Sequence, residues 1–544
     1  MSIESPGLGP GPPTATLSPP SGPPPRSALR RIAISTAIFA LATALSRVAG
    51  LGREVVQAGY FGTNVNADAF TVASQIPNLV SNLFSMAALS AAFVPVFTEL
   101  LQVGRRREAY RLASTLFWLI LIVLTALTLV WMAAAGLIMP LFAGTLHPSA
   151  VALAAGLSRV LFPVVLLLSL TGLFVGILQS YDHFGVAAVA PAVWNVVIVI
   201  GLVALHPHFG IYGYAIAWLL ATVVQFVMIA FALRSIDFRP TFAIDWKDPR
   251  VREVMILFVP VTVSIGIINI DSFLNATLGT LVSQHASIAI NDAFRLYMLP
   301  QGIFSVAVTT VLFPTLTRMA IRADVAGMRR TIGNGVRQIN LLLIPSAALM
   351  AVLATPITRL VFQRGHFTSG STALVSTALL WFAFSLPFSG VNLLFTRTFF
   401  ALRRPWIPTK LAAMNVALDI VVSLALYKSL HIAGLIIGTL VANMFMAWLQ
   451  ARRLRIGFNG RLESPQTLMI TIRILVATAI TTAVGYLIWD GLDRLLGLSL
   501  VAQILSVGIA LLAAAAVYAR LVLLMRIPEA RQIEALLRSR LPGR

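Results

Sequence analysis

The chain is a succession of apolar runs, most of them long enough to cross a bilayer. That feature constrains its fold more than any other. A span takes about 20 apolar residues. Fourteen runs are read near 33–58, 67–98, 112–140, 151–179, 186–205, 211–233, 254–281, 288–316, 338–362, 372–401, 407–427, 432–450, 466–489 and 498–525. In hydrocarbon every backbone N–H and C=O must be satisfied internally, so runs of this length are helices. The sequence therefore predicts an all-α polytopic membrane protein of about 14 transmembrane helices. Composition agrees: 58% of residues are hydrophobic and 11% charged, against about a quarter charged in soluble domains.

The net charge is +21, a balance that suggests nucleic acid in a soluble protein. Here the basic residues gather between the runs. They lie at Arg30 and Arg31, in "GRRREAYR" (104–111), "RSIDFRPTFAIDWKDPRVR" (234–252), "RMAIRADVAGMRR" (318–330), "LRRP" and "ARRLR", and after Arg526. The intervening connections "YFGTNVNA", "AGTLHPSA", "HPHFG" and "SQHASIA" hold no Lys or Arg; Arg364, Lys428 and Arg494 are the exceptions on that side. This alternation predicts cytoplasmic termini and contact with anionic membrane lipids, and no nucleic-acid partner. His206 and His208 fall in one such connection and read as a solvated pair. The absence of cysteine excludes disulfides and thiolate metal sites. Residues 1–28 are Pro/Gly-rich and cannot build a core, whereas 527–541 reads as an amphipathic surface helix.

The runs repeat. "DAFTVASQIPNLVSNLFSMAALSAAFVPVFTEL" begins at Asp68, and the similar "DAFRLYMLPQGIFSVAVTTVLFPTLTRM" begins at Asp292, an offset of 292 − 68 = 224. A second pair, around Asn195 and Asn415, is offset by 415 − 195 = 220. Spans 1–6 thus match spans 7–12 in the same orientation, as parallel repeats. The expected units are 29–236 and 250–456, then 464–526 as an added helix pair, with tails at 1–28 and 527–544. Transporters built this way bind near the midplane and rock between two openings.

Ionisable residues inside spans are costly and face cavities or partners. Span 1 carries Arg47, Arg53 and Glu54, Asp68 opens span 2, and Arg295 lies early in span 8. Arg47 and Glu54 are two turns apart on one face. Gly50 and Gly52 offer a bend that would bring Arg53 to them. One reading is a structural Arg–Glu pair. The other is a cationic cavity wall for an anionic ligand, phosphate or pyrophosphate, which guanidinium forks suit. A second group is Asp271, Asn415, Asp419, Thr439 and the Leu435 carbonyl. It reads either as a Na⁺ or proton site or as a hydrogen-bonded network between helices. No phosphate loop, zinc-protease signature or nucleophile elbow occurs.

"SRVAGLGRE" followed by "FG…ADAF…IPNL…AFVPVF", together with "FQRGHF" (362–367), resembles the MurJ/MviN family of lipid II flippases. That family belongs to the multidrug/oligosaccharidyl-lipid/polysaccharide exporter superfamily. The resemblance implies two six-helix lobes plus a final pair that forms a groove for a lipid tail. It implies no catalysis, location in a bacterial inner membrane, and lipid II as substrate, with cell-wall synthesis proteins as further partners. By the same resemblance Arg47, Arg53, Arg295 and Asp68 occupy cavity positions, and Asp271, Asn415, Asp419, Leu435 and Thr439 a cation site. Ser81, Asn82 and Met86 depart from charged positions of the family, which leaves a different polyprenyl-linked substrate open. The alternatives are another exporter of the superfamily, for drugs or O-antigen-type lipids, and a polytopic polyprenyl-phosphate enzyme.

Overall fold

The computed structural model describes residues 45–531, except 47, 84–85, 143–145, 182, 184, 237, 239, 243–244, 403, 405 and 459–463. No strand occurs among them. Ten stretches of these residues are long and apolar enough to cross a membrane. Half of the expected first span lies outside the described residues, Arg47 included, as do the tails up to 44 and from 532.

The helices follow the apolar runs, and several runs break where a residue cannot continue the ladder. After α1 (48–61), the second run holds α2 (Val65–Leu83) and α3 (Met86–Gln102), on either side of residues 84–85. Following α4 (Arg106–Ile138), the fourth run is α5 (Pro148–Leu161) and α6 (Pro163–Ser180), divided at a proline that has no N–H to give. The chain continues as α7 (Gly185–Phe209), α8 (Ile211–Ala232) and α9 (Pro249–Val282). The eighth run is α10 (Ala286–Pro300), a π-turn at Gln301–Ser305 and α11 (Val306–Ile321). Then come α12 (Val325–Val352), α13 (Ala354–Phe362), α14 (Ser369–Ala401), α15 (Trp406–Gly457), α16 (Ser464–Leu496) and α17 (Leu500–Leu524).

Stretches read from sequence as basic connections are largely helical. Arg106 opens α4, Arg455 lies in the last turn of α15, and α12 starts 13 residues before its apolar run, at Val325. There the Asp324 carboxylate accepts from the Gly327 N–H at 2.8 Å and caps the helix. "HPHFG" is likewise helical as far as Phe209. Its His208 is exposed, as expected, but the His206 ring packs 4.7 Å from Tyr60 and 5.1 Å from Phe61.

The fifth and sixth runs turn on a single residue, Gly210, at φ 53°, ψ −128°. The eleventh and twelfth turn inside the 52-residue α15 on His431, at φ 51°, ψ −130°. The separation is 431 − 210 = 221 residues, between the two offsets read from the sequence. Three residues after each turn stands a glycine, Gly213 or Gly434, whose Cβ would strike the backbone of Leu205 or Leu426. The same hairpin is thus built twice. In the second copy a β-carbon occupies a conformation that glycine adopts without strain.

Three apolar cores result. One draws on residues between Phe61 and Ile288, another on Ala58 and residues between Ala286 and Phe458, and a small third joins Leu341 of α12 to Ile470, Ile474 and Val522 of α16 and α17. Apolar side chains also point outward. Ile122, Val130 and Leu137 on α4 are 54%, 63% and 82% exposed, as suits a surface facing lipid.

The end of α1 joins the second core across a close backbone contact with the "FQRGHF" segment. The His366 N–H donates to the Gly59 carbonyl at 2.9 Å, and the Thr63 and Ser371 hydroxyls meet at 2.7 Å. Gly62 (φ 58°) and Gly365 (φ 57°) make this approach possible: a Cβ on either would collide with the opposing carbonyl oxygen. Elsewhere, Arg337 of α12 forms a buried ion pair with Glu529, just beyond α17, and the Tyr518 hydroxyl donates to the Leu341 carbonyl at 2.7 Å.

Candidate functional site

α1 buries three polar residues, the adjacent Arg53 and Glu54 and, one turn on, Gln57. The helix runs unbroken from 48 to 61 through Gly50 and Gly52, so no bend is needed to bring the charges together. The Arg53 guanidinium pairs with Glu54. It also lies over two indoles, 5.2 Å from Trp194 on α7 and 5.1 Å from Trp218 on α8. The Trp194 N–H donates to the Thr222 hydroxyl at 3.0 Å, which fixes that ring's edge. A cation taken out of water needs such compensation: a counter-charge and the negative faces of aromatic rings.

Glu54 is shared. Arg295 of α10 approaches the same carboxylate oxygen, Nε to Oε1 at 3.4 Å. The two arginines differ in access: the Arg53 side chain is 7% exposed, that of Arg295 40%. One guanidinium is enclosed by protein and the other faces open space. Beside them the Tyr214 hydroxyl donates to Gln57 at 2.7 Å. Asp292 lies one turn before Arg295, buried, with Oδ2 lacking any hydrogen-bond partner.

Asp68 stands apart from this cluster. It is fully buried, and Oδ1 accepts from the Ile288 N–H at 2.7 Å, in the first turn of α10. It thereby caps a helix of the second repeat from a helix of the first. Arg47 is outside the described residues. Ser81 and Asn82 are half-buried in α2, and the Met86 side chain is outside the described residues. Arg159 and Arg397, nearer span ends, settle locally. Arg159 Nε donates to the Met132 carbonyl at 3.0 Å, and Arg397 lies 5.6 Å over the Phe313 ring.

In α15, Thr439 donates to Asp419 Oδ2 at 3.1 Å. The Ser423 hydroxyl lies 2.9 Å from Asp419 Oδ1 and 3.0 Å from the Leu435 carbonyl, and its one proton serves one acceptor at a time. Asn415, one turn before Asp419, has a buried Oδ1 without a partner. A carboxylate, two hydroxyls, a backbone carbonyl and an orphaned amide oxygen fit a hard monovalent cation. Gly438 packs against Asp419 and Ser423, closing the group from the far hairpin arm. The Asp271 side chain lies outside the described residues. No cluster of three His, Cys, Asp or Glu able to hold a metal occurs among the described residues.

Sequence reasoning did not single out Trp194, Trp218, Tyr214, Gln57, Asp292 or Ser423. For Asp292 the repeat itself carried a signal, since it is the partner of Asp68 in the same Asp-Ala-Phe triplet.

Stacked apolar helices around a charged interior define a polytopic membrane transporter. The family model described as "Lipid II flippase MurJ" matches residues 57–506. The chain belongs to this family, whose members are transporters rather than enzymes. It is 32% identical over 352 residues to a lipid II flippase MurJ of Burkholderia cenocepacia, covering 63% of this chain and 68% of that one. With a probable lipid II flippase MurJ of Rhizobium meliloti it shares 30% identity over 468 residues, covering 83% and 85%. Among solved structures, a lipid II flippase MurJ in an inward closed conformation superposes with TM-score 0.76 at 23% identity, covering 90% of this chain and all of that one. An inward-facing multidrug resistance MATE family transporter of the MOP superfamily gives 0.66 at 16%, over 76% and 94%. These two likenesses speak for the fold.

Proposed function

We propose that this protein is a flippase for lipid II, the undecaprenyl-pyrophosphate-linked peptidoglycan precursor. It carries the head group from the inner to the outer leaflet of a bacterial cytoplasmic membrane by alternating access. Family membership supports the substrate. The observation that carries the mechanism is the asymmetric pair of arginines on Glu54. Arg53 is enclosed and compensated, whereas Arg295 is 40% exposed and, among the described residues, meets Glu54 at a long 3.4 Å. Such a cation is ready to exchange its carboxylate for a pyrophosphate oxygen, with Arg47 as the second expected contact. Because α1 and α10 belong to different repeats, ligand binding there would draw the halves together. The 29–236 and 250–456 lobes then rock about that ligand, and 464–526 accommodates the polyprenyl tail.

Coupling to Na⁺ or a proton through Asp419, Asn415, Leu435, Thr439 and Asp271 forms part of this reading, and the donor set of the first four supports Na⁺. Cytoplasmic termini follow from the basic connections. A multidrug exporter is disfavoured because drug exporters of the superfamily usually have twelve helices and cavities suited to organic cations, whereas this chain carries α16, α17 and two arginines on Glu54.

The test is depletion of the protein followed by identification of the lipid-linked precursor that accumulates in the inner leaflet. Lipid II should accumulate, and wild type but not Arg295→Gln should restore growth. Accumulation of a different polyprenyl-linked sugar would redirect the substrate assignment. Because the chain has no cysteine, single-cysteine labelling in intact cells reads the topology directly. Labelling of position 247 by an impermeant reagent would reverse it.

A further inference from the structure

The segment that joins the two repeats does not hang free between α8 and α9. It lies along the first turns of α4. Arg106 Nη2 and the Tyr110 hydroxyl both donate to the Ile236 carbonyl, at 3.0 and 2.9 Å. Further along α4, the Thr241 N–H donates to the Ser114 hydroxyl at 3.0 Å, and the Trp118 N–H donates to the Thr241 carbonyl at 3.0 Å. The segment then returns, and Asp245 pairs with Arg111 at 2.9 Å.

The register on α4 measures how deep this excursion goes. Arg111 is the last charge before the apolar run that continues to Ile138. Trp118 is seven residues on, about 10 Å at 1.5 Å per residue. Ser114, which meets the Thr241 N–H, is only three residues on, so the bend at Thr241 lies about 5–10 Å past the last charge of a membrane-crossing helix. Irregular backbone within the hydrocarbon is tolerated only where protein or water covers it, so a segment at this level belongs to the headgroup interface with its polar groups turned to partners on α4. Ser114 and Trp118 supply those partners at Thr241, from positions on α4 that an unaccompanied lipid-facing helix would fill with apolar residues.

What the segment turns outward is aromatic. Phe242 is 84% exposed and Trp246 70%, and the Phe242 ring sits 4.4 Å from that of Trp118. Arg107, Lys247 and Arg252 are exposed at the level above. Aromatic rings below and basic heads above is the order of a bilayer interface, where rings sit at headgroup depth and Lys or Arg meet anionic lipid.

We propose that the described residues about Thr241 form an interfacial wedge, in which Phe242 and Trp246 enter the leaflet beside α4 while Arg107, Lys247 and Arg252 hold anionic phospholipid headgroups. This goes beyond the flippase reading and does not rest on it. The linker between the repeats is thereby fixed to the first repeat and to the lipid beside it. Only a short stretch before Pro249 is left to swing.

The test uses the full chain in nanodiscs. Single cysteines at Phe242→Cys and Glu253→Cys are spin-labelled, and their accessibility to oxygen and to a water-soluble nickel chelate is compared. The label at 242 should favour oxygen and the label at 253 nickel. Equal nickel access at both positions would overturn the wedge and leave 242 as a water-exposed or protein-binding surface. For the headgroups, the fluorescence component lost in Trp246→Phe should be quenched several-fold more by brominated phosphatidylglycerol than by brominated phosphatidylcholine at equal mole fraction. Substituting Arg107, Lys247 and Arg252 together by Gln should remove that preference. Equal quenching by the two lipids in the wild-type chain would overturn the anionic part.

Discussion

Glu54→Gln and Arg295→Gln break the same contact and should have very unequal effects on stability. Glu54 is buried between two arginines, one of them also buried. Removing its charge leaves the Arg53 guanidinium enclosed, with two indole faces that were there before and no counter-ion. Breaking a buried pair from one side costs about 3–5 kcal/mol. Glutamine still offers Arg53 an amide oxygen, so about 3 kcal/mol is expected, roughly a hundredfold in the folded-to-unfolded ratio at 1.4 kcal/mol per decade. Arg295 is 40% exposed and its contact is 3.4 Å long, the kind of pair worth about 0–1 kcal/mol. Both variants should fail to support growth of a flippase-depleted strain. Only Glu54→Gln should lower the thermal midpoint of the purified protein and its level in membranes. Replacing Arg53 and Glu54 together by leucine should return stability to within about 1 kcal/mol of wild type, since apolar pairs often substitute for buried ion pairs without loss, yet transport should stay lost. If Arg295→Gln destabilises as much as Glu54→Gln, or supports growth at wild-type membrane levels, the division of labour between the two arginines is wrong.

Asp419→Asn should leave the fold intact and abolish stabilisation by sodium in thermal unfolding of the pure protein; an unchanged sodium response would return Asp419, Ser423 and Thr439 to a purely structural network. His431→Gly should raise the thermal midpoint, because a strained backbone conformation costs about 1–3 kcal/mol and glycine relieves it; a lowered midpoint would mean that the His431 side chain contributes more than its backbone costs. Gly365→Ala should destabilise the contact between α1 and the 362–367 segment, through both its φ of 57° and the collision with Gly59, and cross-linking between cysteines at 60 and 366 should fall relative to the same pair in the parent chain.

Much of this was written in the sequence. Bilayer-length apolar runs have one solution in lipid, so the helices and most of their positions followed from hydropathy alone. The charges in span 1 stood out because nothing else in that run is charged. The hairpin at Gly210 was legible as a short glycine-bearing connection, but its counterpart was not, because His431 gives no hint of a positive φ. Adjacent Arg53 and Glu54 meet on a helix continuous through Gly50 and Gly52, since a guanidinium is long enough to reach its neighbour, and the gathering of Arg47 with them falls outside the described residues. Trp194 and Trp218 looked like any apolar-run aromatics. Their role depends on two helices more than 130 residues from Arg53 delivering both rings to one cation, and no local pattern records that. The strap on α4 was hidden for the same reason, since Ser114 and Trp118 acquire meaning only when Thr241 lies against them.

The buried pair of Arg337 with Glu529 sets a schedule for biosynthesis. The two residues are 192 positions apart, and at about 5–20 residues per second the ribosome needs roughly 10–40 s to pass from one to the other. For that interval α12 carries a guanidinium destined for the protein interior without the counter-charge that Glu529 will supply. A cation so placed keeps water or the insertion machinery near it, which delays the final seating of α12. The last thing the ribosome supplies to the described fold is therefore what lets a helix from the middle of the chain settle, so the second repeat is sealed from the C-terminal end.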